Sequence, residues 1–177
     1  VAGSDGTVIR EATLIDADAL GLIHRIGLQA AVPWGMPPTA LVLSAGDRAA
    51  EWREWLKARA TTRNGGQAMV ADSMHGPVGF ICVAPGHPPG VPEHWLISHF
   101  TVLGAHQKQG LGRQLLKAAL EKVARGRGVR ADLFVPSGAP WAAAVEHMGG
   151  LPGGAEPLVR AGMSFMAERY SFSVLSA

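Results

Sequence analysis

The hexapeptide Gln107-Lys108-Gln109-Gly110-Leu111-Gly112 lies between an apolar run, Trp95 to Leu103, and a segment with helical spacing that starts at Leu111. A turn that leaves a buried strand and opens a helix points several backbone N–H groups toward one place, where the helix dipole also favours negative charge. Gly110 and Gly112 carry nothing beyond Cα, so the backbone there curls tightly and admits a bulky anion. Phosphate suits such a turn; a plain, tight strand-to-helix connection is the alternative. Two nucleotide signatures do not fit. Counted from Gly104, a Walker-type loop wants its second glycine at Gln109, and Gly110 runs on into Leu111. A dinucleotide fingerprint wants glycine at Leu115, three past Gly112.

Other residues able to do chemistry are sparse. Cys82, the only cysteine, excludes an internal disulfide and a cysteine-rich zinc site, and its apolar strand makes it a small buried side chain. His24, His75, His87, His106 and His147 show no metal-ligand spacing and read as turn or helix-surface residues, so no metal is expected. The net charge of +2 is too small for a nucleic-acid partner, and the densest basic cluster, Arg125, Arg127 and Arg130, alternates with glycine after a helix. With 47% apolar and 17% charged residues, the 177-residue chain holds enough core for one domain over 1–177. Val1 to Arg10 lacks the basic start and apolar run of a signal peptide, and no apolar stretch reaches membrane-spanning length. A cytoplasmic protein with no membrane partner is expected.

The elements that must position these residues are legible in outline. Thr7 to Ala12 reads as a short strand and Asp16 as the cap of a helix to about Gln29, with Leu20, Ile23, Ile26 and Gly27 at helical spacing. The stretch Ala31 to Pro38 is rich in Pro and Gly yet carries Trp34 and Met36, candidates for a pocket wall or for a plug between helices. Trp52, Trp55, Leu56 and Ala60 mark a second helix from about Ala45 to Thr61. Gln67 to Asp72 and Pro77 to Ala84 form an antiparallel hairpin, and the Pro85 to Pro92 loop leads into the Trp95 strand. After the glycine turn, Leu111, Leu115, Leu116, Ala119, Leu120 and Val123 form the buried side of a third helix ending near Gly126 or Gly128. Ala131 to Val135 is a strand, and Pro140 opens a helix that runs to His147 and stops at Gly149 and Gly150. Met163 to Met166 and Arg169 to Leu175 read as the last two strands. Hairpin-joined strands among a few helices predict an α/β sandwich with a mixed sheet.

The segment Phe100 to Leu116 resembles the acyl-CoA motif of the GNAT N-acetyltransferase superfamily: a hydrophobic strand ending in Val102, then Gln107, Gly110 and Gly112 in the Gln/Arg-x-x-Gly-x-Gly/Ala register, with Gly104 where proline is common. The likeness extends to Ile9-Arg10-Glu11-Ala12 with Asp16, and from Val70-Ala71-Asp72 through Gly79-Phe80. It implies a GNAT-like α/β fold, a mostly antiparallel sheet flanked by about four helices, and acetyl-CoA as cosubstrate. In such a site Phe100, Thr101 and Val102 offer backbone partners to the pantetheine arm. N–H groups of Gln107, Lys108, Gln109, Gly110, Leu111, Gly112 and Arg113 hold the pyrophosphate, with charge added by Lys108 and Arg113. Pairing of two copies through the final strands is also implied.

Acyl transfer to an amine needs a neutral nucleophile, a route for its proton, a donor for the carbonyl oxygen and a proton for the departing sulfur. The resemblance puts the usual general-acid tyrosine at Val145, four residues before Gly149; a shift of one gives Glu146, and the single tyrosine, Tyr170, falls in a final strand. Ser137-Gly138 stands where an Asn is common. The acid is unassigned, and departure of the sulfur as a moderately basic thiolate stays open. Ser98 and His99 stand where the family carries a strand-borne base, with Glu93 and His94 at the strand entrance as alternatives. Strand alternation predicts that Ser98 and His99 face opposite sides. The expected activity is acetyl transfer from acetyl-CoA to a primary amine, of a small molecule in view of the apolar loop, by direct attack in a ternary complex. A protein lysine or N-terminal acceptor, a longer acyl donor, and a non-catalytic acyl-CoA-binding module stay open.

Overall fold

The computed structural model describes residues 6–60, 65–86, 91, 93–160 and 162–174. Along the chain come β1 (Val8–Glu11), α1 (Ala17–Ala31), α2 (Ala45–Ala60), β2 (Gln67–Ser73), β3 (Gly76–Pro85) and β4 (His94–Val102). They are followed by α3 (Leu111–Arg125), β5 (Arg130–Pro136), α4 (Ala142–His147), β6 (Leu151–Arg160) and β7 (Met163–Ser173). The strands form a seven-stranded sheet in the order β1-β2-β3-β4-β5-β7-β6. Every pairing is antiparallel except β4 beside β5. The expected mixed, mostly antiparallel α/β architecture is what the chain adopts.

Alternation along β3 sends Ile81 and Val83 to one face and Phe80 and Cys82 to the other. On the first face α3 buries Leu111, Leu115, Leu116, Ala119 and Val123, a stripe at helical spacing, against the sheet core that includes Trp95 and Ile97. On the second, α1 and α2 cover Val70, Phe80 and Cys82 with Leu20, Ile23, Trp52 and Leu56. Gly27 lets α1 lie close to β4, since a Cβ there would stand 2.5 Å from Thr101 Oγ1. Arg10 staples the corner: it forks onto both carboxylate oxygens of Asp16 at 2.8 Å and reaches Asp72 of β2 at 2.8 Å. That pairing holds the buried Asp16 carboxyl below its ordinary pKa.

Several boundaries differ from expectation. The Pro-rich stretch after α1 folds as two 3-10 turns, Val32–Trp34 and Pro38–Leu41. Leu151–Arg160, given no element from the sequence, is an edge strand that contains Pro152, Gly153, Gly154 and Pro157. An edge tolerates proline, and the two glycines fill the register shift between Pro152 and Ala155. The two short final strands are one, β7. Thr61, Leu175 and most of the loop before β4 lie outside the described residues.

Candidate functional site

The sheet splits at its middle. Parallel pairing of β4 with β5 runs from His94↔Arg130 to Ile97↔Leu133 and stops, while β5 goes on to Pro136 beside β7. The register of β3 against β4 also slips between Cys82, paired with His99, and Val83, paired with Ile97. Ser98 is therefore the extra residue of a β-bulge, where two residues of one strand oppose one of the other. This corrects the expectation that Ser98 and His99 face opposite sides: the bulge breaks the alternation, and both turn toward α1 and α2. Ser98 Oγ is 3.0 Å from His99 Nδ1.

From His99 a hydrogen-bonded chain runs into the helices. His99 Nε2 is 3.1 Å from His24 Nε2 on α1, and Trp52 Nε1 on α2 donates to His24 Nδ1 at 3.3 Å. Indole N–H only donates, so neutral His24 carries its proton on Nε2 and gives it to His99 Nε2. His99 then carries its own proton on Nδ1 and donates to Ser98. His24 is thus no helix-surface residue, as its type alone suggested; it belongs to the inner stripe Leu20, Ile23, His24, Gly27. Behind Ser98, burial pushes the Cys82 thiol up to about 11, so the sulfur stays protonated near neutral pH.

The turn at the mouth of the split is as tight as its glycines imply. Gly110 (φ 82) and Lys108 (φ 61) are both left-handed, and Gln107 Nε2 donates to Val102 O at 2.8 Å, tying the turn to the end of β4. The N–H groups of His106, Gln107 and Gln114 have backbone acceptors; among the described residues, those from Lys108 to Arg113 have none. Phe100, Thr101, Val102, Gln107, Lys108, Gly110, Gly112 and Arg113 line one groove of about 1160 Å³, which runs between β4 and β5. Gln109 and Leu111 belong to the turn but not to the groove wall, and Leu111 is in the core under α3.

A second cavity, of about 470 Å³, opens between α1 and α2, and it meets the groove at His24, Leu28, Ser98 and His99. Met36 lines the groove; Trp34, 38% exposed, lines neither space. Glu93 stands exposed at the entrance of β4, roughly 20 Å from His99 at strand rise, and also lines neither. Val145 is buried in the groove wall with no proton to offer. Tyr170 is 1% exposed and donates to Glu168 at 2.8 Å, with Glu146 Oε1 3.3 Å from the same hydroxyl, away from both spaces.

A split sheet with a glycine turn and a helix N-terminus at its mouth defines an acetyltransferase-type α/β protein. Residues 33–145 match the family described as Acetyltransferase (GNAT) family. Among solved structures the chain is similar to yncA from Salmonella typhimurium, solved with its cofactor acetyl-CoA, at 20% identity and TM-score 0.72 over 95% of this chain and 94% of that one. It is similar to a ribosomal-protein-alanine N-acetyltransferase from Brucella melitensis at 22% identity and TM-score 0.73, over 94% of this chain and 99% of that one. It also resembles an N-acetyltransferase from Staphylococcus aureus Mu50, at 15% identity and TM-score 0.72 over 95% and 98%. No curated protein matches the chain. The chain belongs to the acetyltransferase (GNAT) family.

Proposed function

We propose that the chain is one acyltransferase domain that moves acetyl from acetyl-CoA to the primary amine of a small molecule, by direct attack while both are bound. The observation that carries this reading is the meeting of two spaces at His99: a long groove with anion-binding features on one side and a compact cavity on the other. The groove suits the cosubstrate. N–H groups from Lys108 to Arg113 without acceptors, with Lys108 and Arg113 beside them, fit a pyrophosphate. The part of β4 that β5 leaves unpaired fits the amides of a pantetheine arm. When bound, acetyl-CoA supplies the activated acetyl thioester.

In the net reaction the amine nitrogen gains a bond to the carbonyl carbon, the carbon–sulfur bond breaks, and one amine proton is lost while the sulfur gains one. His99 is the base that receives the amine proton. Both nitrogens of its ring are already engaged, so the proton displaces the His24 donor at Nε2, at a cost of about 1 kcal/mol for the bond and about 1–3 kcal/mol for the donor left unsatisfied. Ser98 holds the other side of the ring. No side chain at Val145 protonates the sulfur, so it leaves as thiolate or takes its proton from water. The outer hairpin carries exposed Leu151, Val159, Met163 and Met166, which supports pairing of two copies. A cytoplasmic setting keeps the Cys82 thiol reduced.

The test is thiol release from acetyl-CoA across a broad panel of amines, beside acetyl-CoA binding. His99→Ala is expected to lower turnover and leave acetyl-CoA affinity unchanged; unchanged turnover removes His99 from the chemistry. Tight acetyl-CoA binding with no accelerated thiol release for any amine would establish the non-catalytic binding module instead. Acetylation of peptide amines alone would establish a protein acceptor.

A further inference from the structure

The cavity between α1 and α2 carries its own chemical signature. Resting on the transferase reading above, we propose that its occupant, the acceptor, is a small monoamine with an uncharged aromatic body: an arylalkylamine, and not an amino acid, a polyamine or a lysine side chain in a peptide. Shape and charge both argue for it.

Arg48, Glu51, Trp52 and Trp55 recur at three- and four-residue steps and present one face of α2 to the cavity. The indoles of Trp52 and Trp55 meet at 75° with centroids 5.5 Å apart, forming a corner with one wall for the face of a ring and one for its edge. Leu28, Ala40 and Leu43 complete an apolar lining. The two charges present, Arg48 and Glu51, cancel each other: Arg48 Nη1 donates to Glu51 Oε2 at 3.0 Å, and Nη2 donates to Ala40 O at 2.8 Å. Cys82 is an uncharged thiol there, and the hydrogen bonds of His24 and His99 are those of neutral rings. The pair is net neutral, so the cavity offers no uncompensated cation to an acceptor carboxylate and no uncompensated anion to a second ammonium; within it Arg48 Nε is buried without a hydrogen-bond partner. The volume of about 470 Å³ is at the lower end of small-molecule sites, which suits a compact amine.

The experiment has two readouts on the intact chain: thiol release with acetyl-CoA, and quenching of tryptophan fluorescence by the amine itself. Phenethylamine is compared with phenylalanine, which adds only a carboxylate, with spermidine and with a lysine-containing peptide. The expected result is a kcat/KM for phenethylamine about tenfold or more above each of the others, equivalent to about 1.4 kcal/mol of discrimination. Trp55→Leu should raise KM for phenethylamine several-fold with little change in kcat. Glu51→Gln, at an exposed position, frees Arg48 and should narrow the gap between phenethylamine and phenylalanine, which a merely structural role would not do. Phenylalanine, spermidine or the peptide equalling phenethylamine in the wild type overturns the proposal, as does the absence of saturable quenching by phenethylamine. Saturable quenching without thiol release keeps the assignment of the cavity and overturns the transferase reading.

Discussion

Trp52→Phe deletes one N–H and keeps an aromatic ring in the same corner, so it isolates what that N–H does to the chain of imidazoles. In the wild type, running the chain backwards would put a proton on His24 Nδ1, facing the indole donor. The Trp52 hydrogen bond would be lost, at about 1 kcal/mol, and a half-buried donor would go unsatisfied, at about 1–3 kcal/mol more. The forward direction is therefore favoured by about 2–4 kcal/mol, a ratio on the order of 30 to 900. In Trp52→Phe both directions have equal numbers of hydrogen bonds, because the Ser98 hydroxyl gives or receives equally well. The bias disappears. Long-range proton–nitrogen spectra of histidine-labelled protein read this directly: wild type should show His24 protonated at Nε2 and His99 at Nδ1, each as one form, and the variant should show averaged nitrogen shifts for both. A wild-type His99 protonated at Nε2, or a variant whose shifts do not move, refutes the reasoning. Because Trp52 is buried, a melting curve accompanies the spectra to show that the variant is folded.

Gly110→Ala places a side chain on a left-handed residue where it would meet only Gln114 Nε2, at 4.0 Å and without a clash, so its effect is backbone strain of about 1 kcal/mol, a fall of roughly 2–4 °C in Tm; acetyl-CoA affinity should fall as the turn relaxes, and a variant as stable as wild type would contradict this. Asp16→Asn should destabilise by about 2 kcal/mol in denaturant melts by weakening the fork from Arg10. The folded Asp16 carboxyl sits below its unfolded value, so the stability it supplies is fully present above about pH 4 and is lost as pH falls through the folded value. Wild type should therefore lose more stability than Asp16→Asn between about pH 5 and pH 2; parallel acid titrations would contradict the assignment.

The groove was largely legible in advance, since a turn, its glycines and the stripe on α3 are local features whose consequences follow from neighbours in sequence. The face that carries Ser98 and His99 was not. A one-residue bulge leaves no mark in composition, so alternation along β4 placed Ser98 and His99 on opposite faces when they share one. His24 and His99 are 75 positions apart, and only the fold makes them partners. A signal for His24 and Trp52 did exist, because each falls within an apolar helical stripe where a polar tip is out of place. β6 went unread because proline and glycine mark an edge strand as readily as a loop. Trp34 and Glu93 were singled out by residue type and neighbourhood, and neither reaches the cavities.

The split between β4 and β5 has a mechanical consequence. Beyond Ile97 and Leu133 the two halves of the sheet, β1 to β4 and β5 with β7 and β6, lose their shared ladder, so the sheet is continuous only along a short seam. Any molecule that lies in the gap and bonds to both lips acts as mortar, and the contacts that bind it also join the halves. At a hundredfold excess over its Kd such a ligand adds about 2.7 kcal/mol to the folded state. That gain would be concentrated at the seam, with amide exchange slowing at Thr101 and Phe134 more than at the outer edges β1 and β6. The cosubstrate would then be part of what makes the sheet cohere.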